Sequence, residues 1–330
     1  MGKYREKSMK KDKKMFILME AVLGTMVIVL SFVMLQGNNE KQRYKISVIV
    51  ENADDNQWSA FKYGLKMAAE DRDVEMSMVS TGAVLSQEEE KKLIEQEIKN
   101  GADGVIIRPA SGADTKHILK KVSSKTEIML IEDISSEEKS EFPVIQSNNY
   151  AMGKTLAEEL LKDYGGNLEG KTLGILMRDG DSQNDIKREQ GFTETLQNTG
   201  VEIVWADAKK AEDDDKAFLE SQPKVDFVIA LDDNSLTAAG ECAAANNLHG
   251  ALVYGIGNST ESVYYLDTGL AECLVVPDTF NVGYQSLTEL VNGLSKAFYE
   301  YDKPAIDYTI MRRENLFSKE NQDAIFTMNQ

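Results

Sequence analysis

Ten short β-branched runs, separated by amphipathic helical stretches, constrain this 330-residue chain more than any single motif. The runs are YKISVIV (44–50), VEMSMVS (74–80), DGVIIRP (103–109), EIMLIED (127–133), FPVIQSN (142–148), KTLGILM (171–177), VEIVWAD (201–207), VDFVIAL (225–231), ALVYGIG (251–257) and LAECLVV (270–276). Helical periodicity fills the intervals 59–70, 86–99, 151–163 and 186–199. Such alternation is the mark of βαβ units, in which right-handed crossovers place helices on both faces of a parallel sheet. Ten strands exceed one small doubly wound sheet, so the expected architecture is α/β with two doubly wound lobes, the change falling near residues 147–150. Ligands of open α/β sheets bind beyond the carboxyl ends of the strands. The residues directly after each strand are therefore the candidates for function.

Ahead of this pattern, residues 15–35 (MFILMEAVLGTMVIVLSFVML) form an apolar run about as long as a helix that crosses a bilayer core. Lys3, Arg5, Lys7, Lys10, Lys11, Lys13 and Lys14 precede it against Glu6 and Asp12, which places the N-terminus inside and the remainder outside the cell. The following LQGNNEKQ offers no A-x-A-like cleavage site and no cysteine for lipid attachment, so an uncleaved anchor is expected over a cleaved signal peptide.

The whole chain carries a formal charge of −18; beyond the seven basic and three acidic residues of positions 1–36 there remain 30 Lys and Arg against 52 Asp and Glu. A domain so acidic repels phosphate, which argues against nucleic acid and anionic lipid as partners. Cys242 and Cys273 are too few for a disulfide framework and lack metal-site clustering, and they read as small core residues. His117 and His249 stand in no H-E-x-x-H motif, and neither a G-x-S-x-G elbow nor a Walker A loop is present. Nothing points to an enzyme, and no cofactor or metal is expected.

Several phrases in order resemble the type I periplasmic binding proteins for sugars, the group that includes ribose-binding proteins and the sugar-sensing domains of LacI-type repressors. They are DDNQWSAFKYGLKMAAE after the first strand, GADGVIIRPASG, SNNYAMGKTLAEEL, RDGDSQNDIKREQGF, VIALDDNSLTAAGE and VVPDTFNVGYQSL, spread over about residues 44–316. The resemblance implies two lobes joined by three crossings, near 147–149, 276–278 and 303–307. Together with the apolar run and the apolar residues of the C-terminal end, this divides the chain into a cytoplasmic segment (1–14), the anchor (15–35), a linker (36–43), an N-terminal lobe (44–148 plus 278–303), a C-terminal lobe (149–277 plus 304–316) and a tail (317–330) packed on the C-terminal lobe through Leu316, Phe317, Ile325 and Phe326.

The resemblance also implies roles. Trp58 stands where the family has an aromatic against the ligand ring; an indole gives an apolar face with one donor at its edge. Asp55 stands where an amide or acid meets sugar hydroxyls, although a helix cap explains an aspartate there equally well. Arg188, three residues before Gly191-Phe192, matches the arginine of the R-x-x-G-F phrase, whose fork of donors suits vicinal hydroxyls or a carboxylate. Asp232 and Asp233 follow the strand VIAL at a ligand-facing position, Glu132 and Asp133 end the fourth strand, and Asn149 lies at the first crossing. The departures are equally specific. Asn258 follows Gly257 where an aspartate is usual, Pro277 replaces a glutamine at the return crossing, and KKAEDDD replaces an aromatic after the strand ending at Asp207. The carboxylates Asp55, Glu132, Asp133, Asp232 and Asp233 suggest either an amino sugar or a solvated rim, the rim being the simpler expectation. The expected function is capture of a small sugar or polyol outside the membrane, for an ABC permease or for a membrane histidine kinase.

Overall fold

The computed structural model describes residues 18–31, 43–81, 86–110, 112, 114–134, 141–177, 182–208 and 215–329. The chain forms two compact units, 1–43 and 44–330. In the first, residues 18–31 are helical with exposed apolar side chains. Among the described residues no helix is long and apolar enough to cross a membrane. The expected span 15–35 extends beyond the described residues at both ends, and the KKAEDDD segment lies largely outside them.

The second unit opens with β1 (Lys45–Val50), α1 (Ser59–Arg72), β2 (Glu75–Ser80), α2 (Gln87–Lys99), β3 (Gly104–Ile107), α3 (Thr115–Ser123) and β4 (Glu127–Leu130). The four strands form a parallel sheet in the order β2-β1-β3-β4. Then follow α4 (Asn149–Asp163), β5 (Thr172–Met177), α5 (Gln183–Thr195), β6 (Glu202–Ala208), α6 (Asp215–Ser221), β7 (Phe227–Ala230), α7 (Asp233–Ala244), β8 (Leu252–Ile256), α8 (Thr260–Asp267), β9 (Cys273–Pro277), α9 (Thr279–Ser295), β10 (Tyr308–Met311) and α10 (Gln322–Met328). Their sheet runs β10-β9-β8-β7-β5-β6, with only β10 antiparallel. The run at 142–148 is not the strand expected of it. It makes two isolated bridges, Leu130 to Val144 and Ser147 to Ile306, because Pro143 has no N–H to extend a ladder and the chain is already leaving the sheet.

Each sheet is buried on both faces. Helices α1 and α9 cover one side of the first sheet, where Phe61, Leu65, Leu287 and Leu290 meet Ile46, Val48 and Ile106; Ile94, Leu119 and Val122 from α2 and α3 cover the other. On the second sheet, α4 and α5 bring Leu156, Leu160 and Phe192 against Phe227 and Tyr254. The opposite face takes α7 and α8 together with Leu316 and Met328 of the C-terminal segment. Cys242 and Cys273 form no disulfide and are buried, one in each of these two layers. Of the four expected tail anchors, Leu316 is buried and Ile325 partly so, while Phe317 and Phe326 are exposed. Helix α10 is short and turns one face inward, so Ile325 and Met328 join the sheet core, while Phe326, about 100° around, stays largely exposed.

Two helix pairs approach to backbone contact. A methyl at Gly64 of α1 would lie 2.0 Å from the Phe280 carbonyl oxygen, and one at Gly283 of α9 would lie 2.3 Å from that of Phe61. Gly153 of α4 and Gly191 of α5 repeat the arrangement against the Arg188 and Tyr150 carbonyls, at 1.9 and 2.1 Å. Only glycine permits such separations.

Candidate ligand-binding site

The carboxyl ends of the strands deliver an unbroken polar chain from one sheet to the other. Arg108, directly after β3, donates from Nε to Glu132 Oε2 at 2.8 Å. Glu132, just past β4, accepts at Oε1 from the Ser182 hydroxyl and, at 3.5 Å, from the Asn184 backbone N–H. Ser182 is the N-cap of α5, so the carboxylate sits where the helix leaves its first donors open. Asn184 Oδ1 receives the Asn149 side-chain amide at 2.6 Å, and Asn149 Oδ1 receives Arg188 Nε at 2.9 Å. Arg188 Nη1 ends the chain on the Leu231 carbonyl oxygen at 2.7 Å, beyond β7.

The electrostatics follow from this pairing. Burial pushes the Glu132 carboxyl up, but the charge of Arg108 and the Ser182 and Arg108 hydrogen bonds together hold it below the ordinary range. Asp185 of α5 is lifted well above that range by burial and by the nearby Asp232, against the pull of Arg188 at 3.6 Å. Among the described residues, Arg188 Nη2 and both Nη groups of Arg108 donate to no protein acceptor, which leaves them for other acceptors.

A second set of contacts joins the same two sheets. Asn258, after β8, donates to the Gln57 carbonyl oxygen at 2.6 Å and to Thr279 Oγ1 at 3.2 Å, and Asn56 donates to Glu261 Oε1 at 2.7 Å. Asp233 Oδ1 holds the loop that presents Asn258, accepting from the Asn258 and Ser259 backbone N–H groups at 2.7 and 2.9 Å and from the Ser262 hydroxyl at 2.8 Å. Burial still raises its carboxyl above the usual value. Asp232 caps α7, accepting from the Ser235 N–H at 2.9 Å and the Ser235 hydroxyl at 2.5 Å.

Several expectations change at this point. Glu132, Asp133 and Asp233 are buried at 4, 8 and 7 % exposure, so they are not the solvated rim that their number suggested. Composition cannot distinguish a carboxylate held by Arg108 from one facing water. Trp58, expected to lay its ring against a ligand, is half-buried and edge-on to Phe61 at 5.5 Å, and its indole N–H donates to the Glu51 carbonyl oxygen at 2.9 Å. Only the ring remains available for stacking. Asp55 makes no capping bond; its carboxylate accepts from Gln57 Nε2 at 2.8 Å. The Asp133 N–H donates to Gln146 Oε1 at 3.1 Å. Arg108, Ser182, Asn184 and Asp185 belong to the network but were not among the candidates. Arg108 follows its strand directly and could have been found there, and Ser182 opens an S-x-x-D helix start.

Comparison with known proteins agrees with this architecture. A carbohydrate-transporter solute-binding protein from Agrobacterium radiobacter, solved with D-arabinose, superposes with a TM-score of 0.75 at 16 % identity, covering 87 % of this chain and all of that one. GanP, a glucose-galactose binding protein from Geobacillus stearothermophilus, gives 0.71 at 16 %, with 84 and 100 % covered. The XylFII-LytSN complex gives 0.70 at 17 %, with 82 and 98 % covered. No curated protein sequence matches the chain significantly. The periplasmic binding protein domain model matches residues 46–296, most of the chain, and the protein is a member of that family.

Proposed function

We propose that this protein is an extracytoplasmic solute receptor, anchored to the membrane by residues 15–35, that captures a small neutral sugar or polyol between an N-terminal lobe (44–148 plus 278–303) and a C-terminal lobe (149–277 plus 304–316) and serves an ABC importer. The reading rests chiefly on the polar chain from Arg108 through Glu132, Ser182, Asn184 and Asn149 to Arg188, since hydroxyls entering the cleft meet donors and acceptors from both sheets at once. A neutral ligand is favoured over an amino sugar because Glu132, Asp232 and Asp233 already have donors within the protein. Structural neighbours solved with D-arabinose, D-fucose and α-D-tagatopyranose support the same class. The second reading is a sensor for a histidine kinase, favoured by the structural similarity to the XylFII-LytSN complex.

Thermal-shift screening of neutral sugars and polyols identifies the ligand, and calorimetry tests the site. The Trp58 ring and the Arg188 fork should each contribute on the order of 1–3 kcal/mol. Trp58→Ala and Arg188→Ala should then each weaken binding about tenfold or more. Parent-like affinity in both variants would refute this site.

A further inference from the structure

Beside the lobe crossings lies a cavity of about 450 Å³ that the ligand cleft does not include. Its walls come from α1, the start of α9, the crossing segments after β9 and before β10, and the C-terminal helix α10. Thr279 separates it from the cleft, lining the cavity while its hydroxyl takes the Asn258 bond at 3.2 Å.

Two features of the lining coincide. Tyr63 stands at the centre of an aromatic corner, with Phe280 at 5.5 Å and Phe326 at 6.2 Å between ring centroids. Phe326 is 56 % exposed, an apolar ring that turns to solvent and to the cavity while the tail's own core contacts are made by Leu316 and Met328. The rim supplies Asp278, Asp307, Glu320 and Asp323, and no lysine, arginine or histidine lines the cavity. Asp278 is engaged in capping α9 through Asn281. Asp307, Glu320 and Asp323 are exposed and carry no ion pair and no side-chain hydrogen bond within the described residues.

Aromatic faces attract a cation through the ring quadrupole, and carboxylates around them add attraction of the same sign. The volume suits one small molecule. An anion would be repelled by the rim carboxylates. We propose that this cavity is a second binding site, for a small organic cation of the quaternary-ammonium class, seated against Tyr63, Phe280 and Phe326 and paired with the rim carboxylates. Because α1 and α9 lie on one sheet and β9, β10 and α10 on the other, the occupant contacts both sides of the crossings.

The test uses the full chain, with choline as probe and 3,3-dimethylbutan-1-ol, its neutral isostere, as control. Calorimetry should give choline binding at least tenfold tighter than the alcohol. Phe326→Ala and the double variant Glu320→Gln/Asp323→Asn alter exposed side chains and should each weaken choline tenfold or more, with unchanged urea midpoints. Arg188→Ala, in the cleft, should leave choline affinity as in the parent. Equal binding of the two probes, no choline binding at millimolar concentration, parent-like affinity in the cavity variants, or loss of choline with Arg188→Ala would each overturn the proposal.

Discussion

Replacing Glu90 by glutamine should stabilise the protein at neutral and alkaline pH and leave it nearly unchanged at about pH 4.5 and below. Glu90 lies on α2 at 1 % exposure, its Oε1 accepting from the Ala110 N–H at 2.9 Å while its buried Oε2 has no partner among the described residues. Burial lifts the carboxyl to about 7, the Ala110 bond opposes this, and the charge of Glu51 adds to it. In the unfolded chain the same group titrates near 4.5. The folded state therefore holds its proton more tightly, so the stability contributed is complete below about 4.5 and is lost as pH rises through 7. A difference of about 2.5 units at 1.36 kcal/mol each gives about 3 kcal/mol. Glutamine keeps the acceptor for Ala110 and carries no charge at any pH. Urea unfolding followed by tryptophan fluorescence should find the two proteins within about 1 kcal/mol at pH 4.5 and the variant about 3 kcal/mol more stable at pH 8.5. Other raised carboxyls, Asp185 and Asp233, are common to both proteins and cancel in the difference. A difference that does not change between the two pH values would refute the assignment of a buried neutral acid.

Glu132→Gln should behave oppositely. It removes the counter-charge of Arg108, costing on the order of 2–3 kcal/mol at neutral pH, and because the Glu132 carboxyl is lowered on folding, the loss should shrink as pH falls through its folded value; urea titration at pH 7 and 3 checks this. Gly153→Ala drives a methyl into the Arg188 carbonyl and should cost about 2–3 kcal/mol by thermal unfolding, with ligand affinity falling as Arg188 is displaced; an unchanged melting temperature would contradict the contact. N-terminal sequencing of membrane-extracted protein should find residues 15–35 retained, and a mature start near residues 36–40 would dismiss the anchor.

The alternation of strands and helices was legible because buried parallel strands are continuous apolar runs and their connecting helices are amphipathic, both local properties. What failed was decided by contacts that the strand and helix periodicity does not report. The 142–148 run has strand composition, but Pro143 and the departure from the first sheet deny it a ladder. Arg188 was singled out through the resemblance of its phrase to R-x-x-G-F, whereas one partner of Glu132 lies fifty residues away at Ser182 and leaves no mark near Glu132 itself. The direction of the Trp58 N–H depends on the backbone carbonyl of Glu51, which composition does not encode.

The paired glycine contacts bear on the mechanics of the molecule. Helices α4 and α9 each start immediately after a crossing segment, and each is fastened to a neighbour at the level of the main chain, α4 to α5 through Gly153 and Gly191 and α9 to α1 through Gly283 and Gly64. Backbone atoms in van der Waals contact have no rotamers with which to accommodate sliding, so these helix pairs behave as stiff beams clamped at the joint. Bending of such a joint would then fall on the few residues between strand and beam, near Ser147 and Pro277.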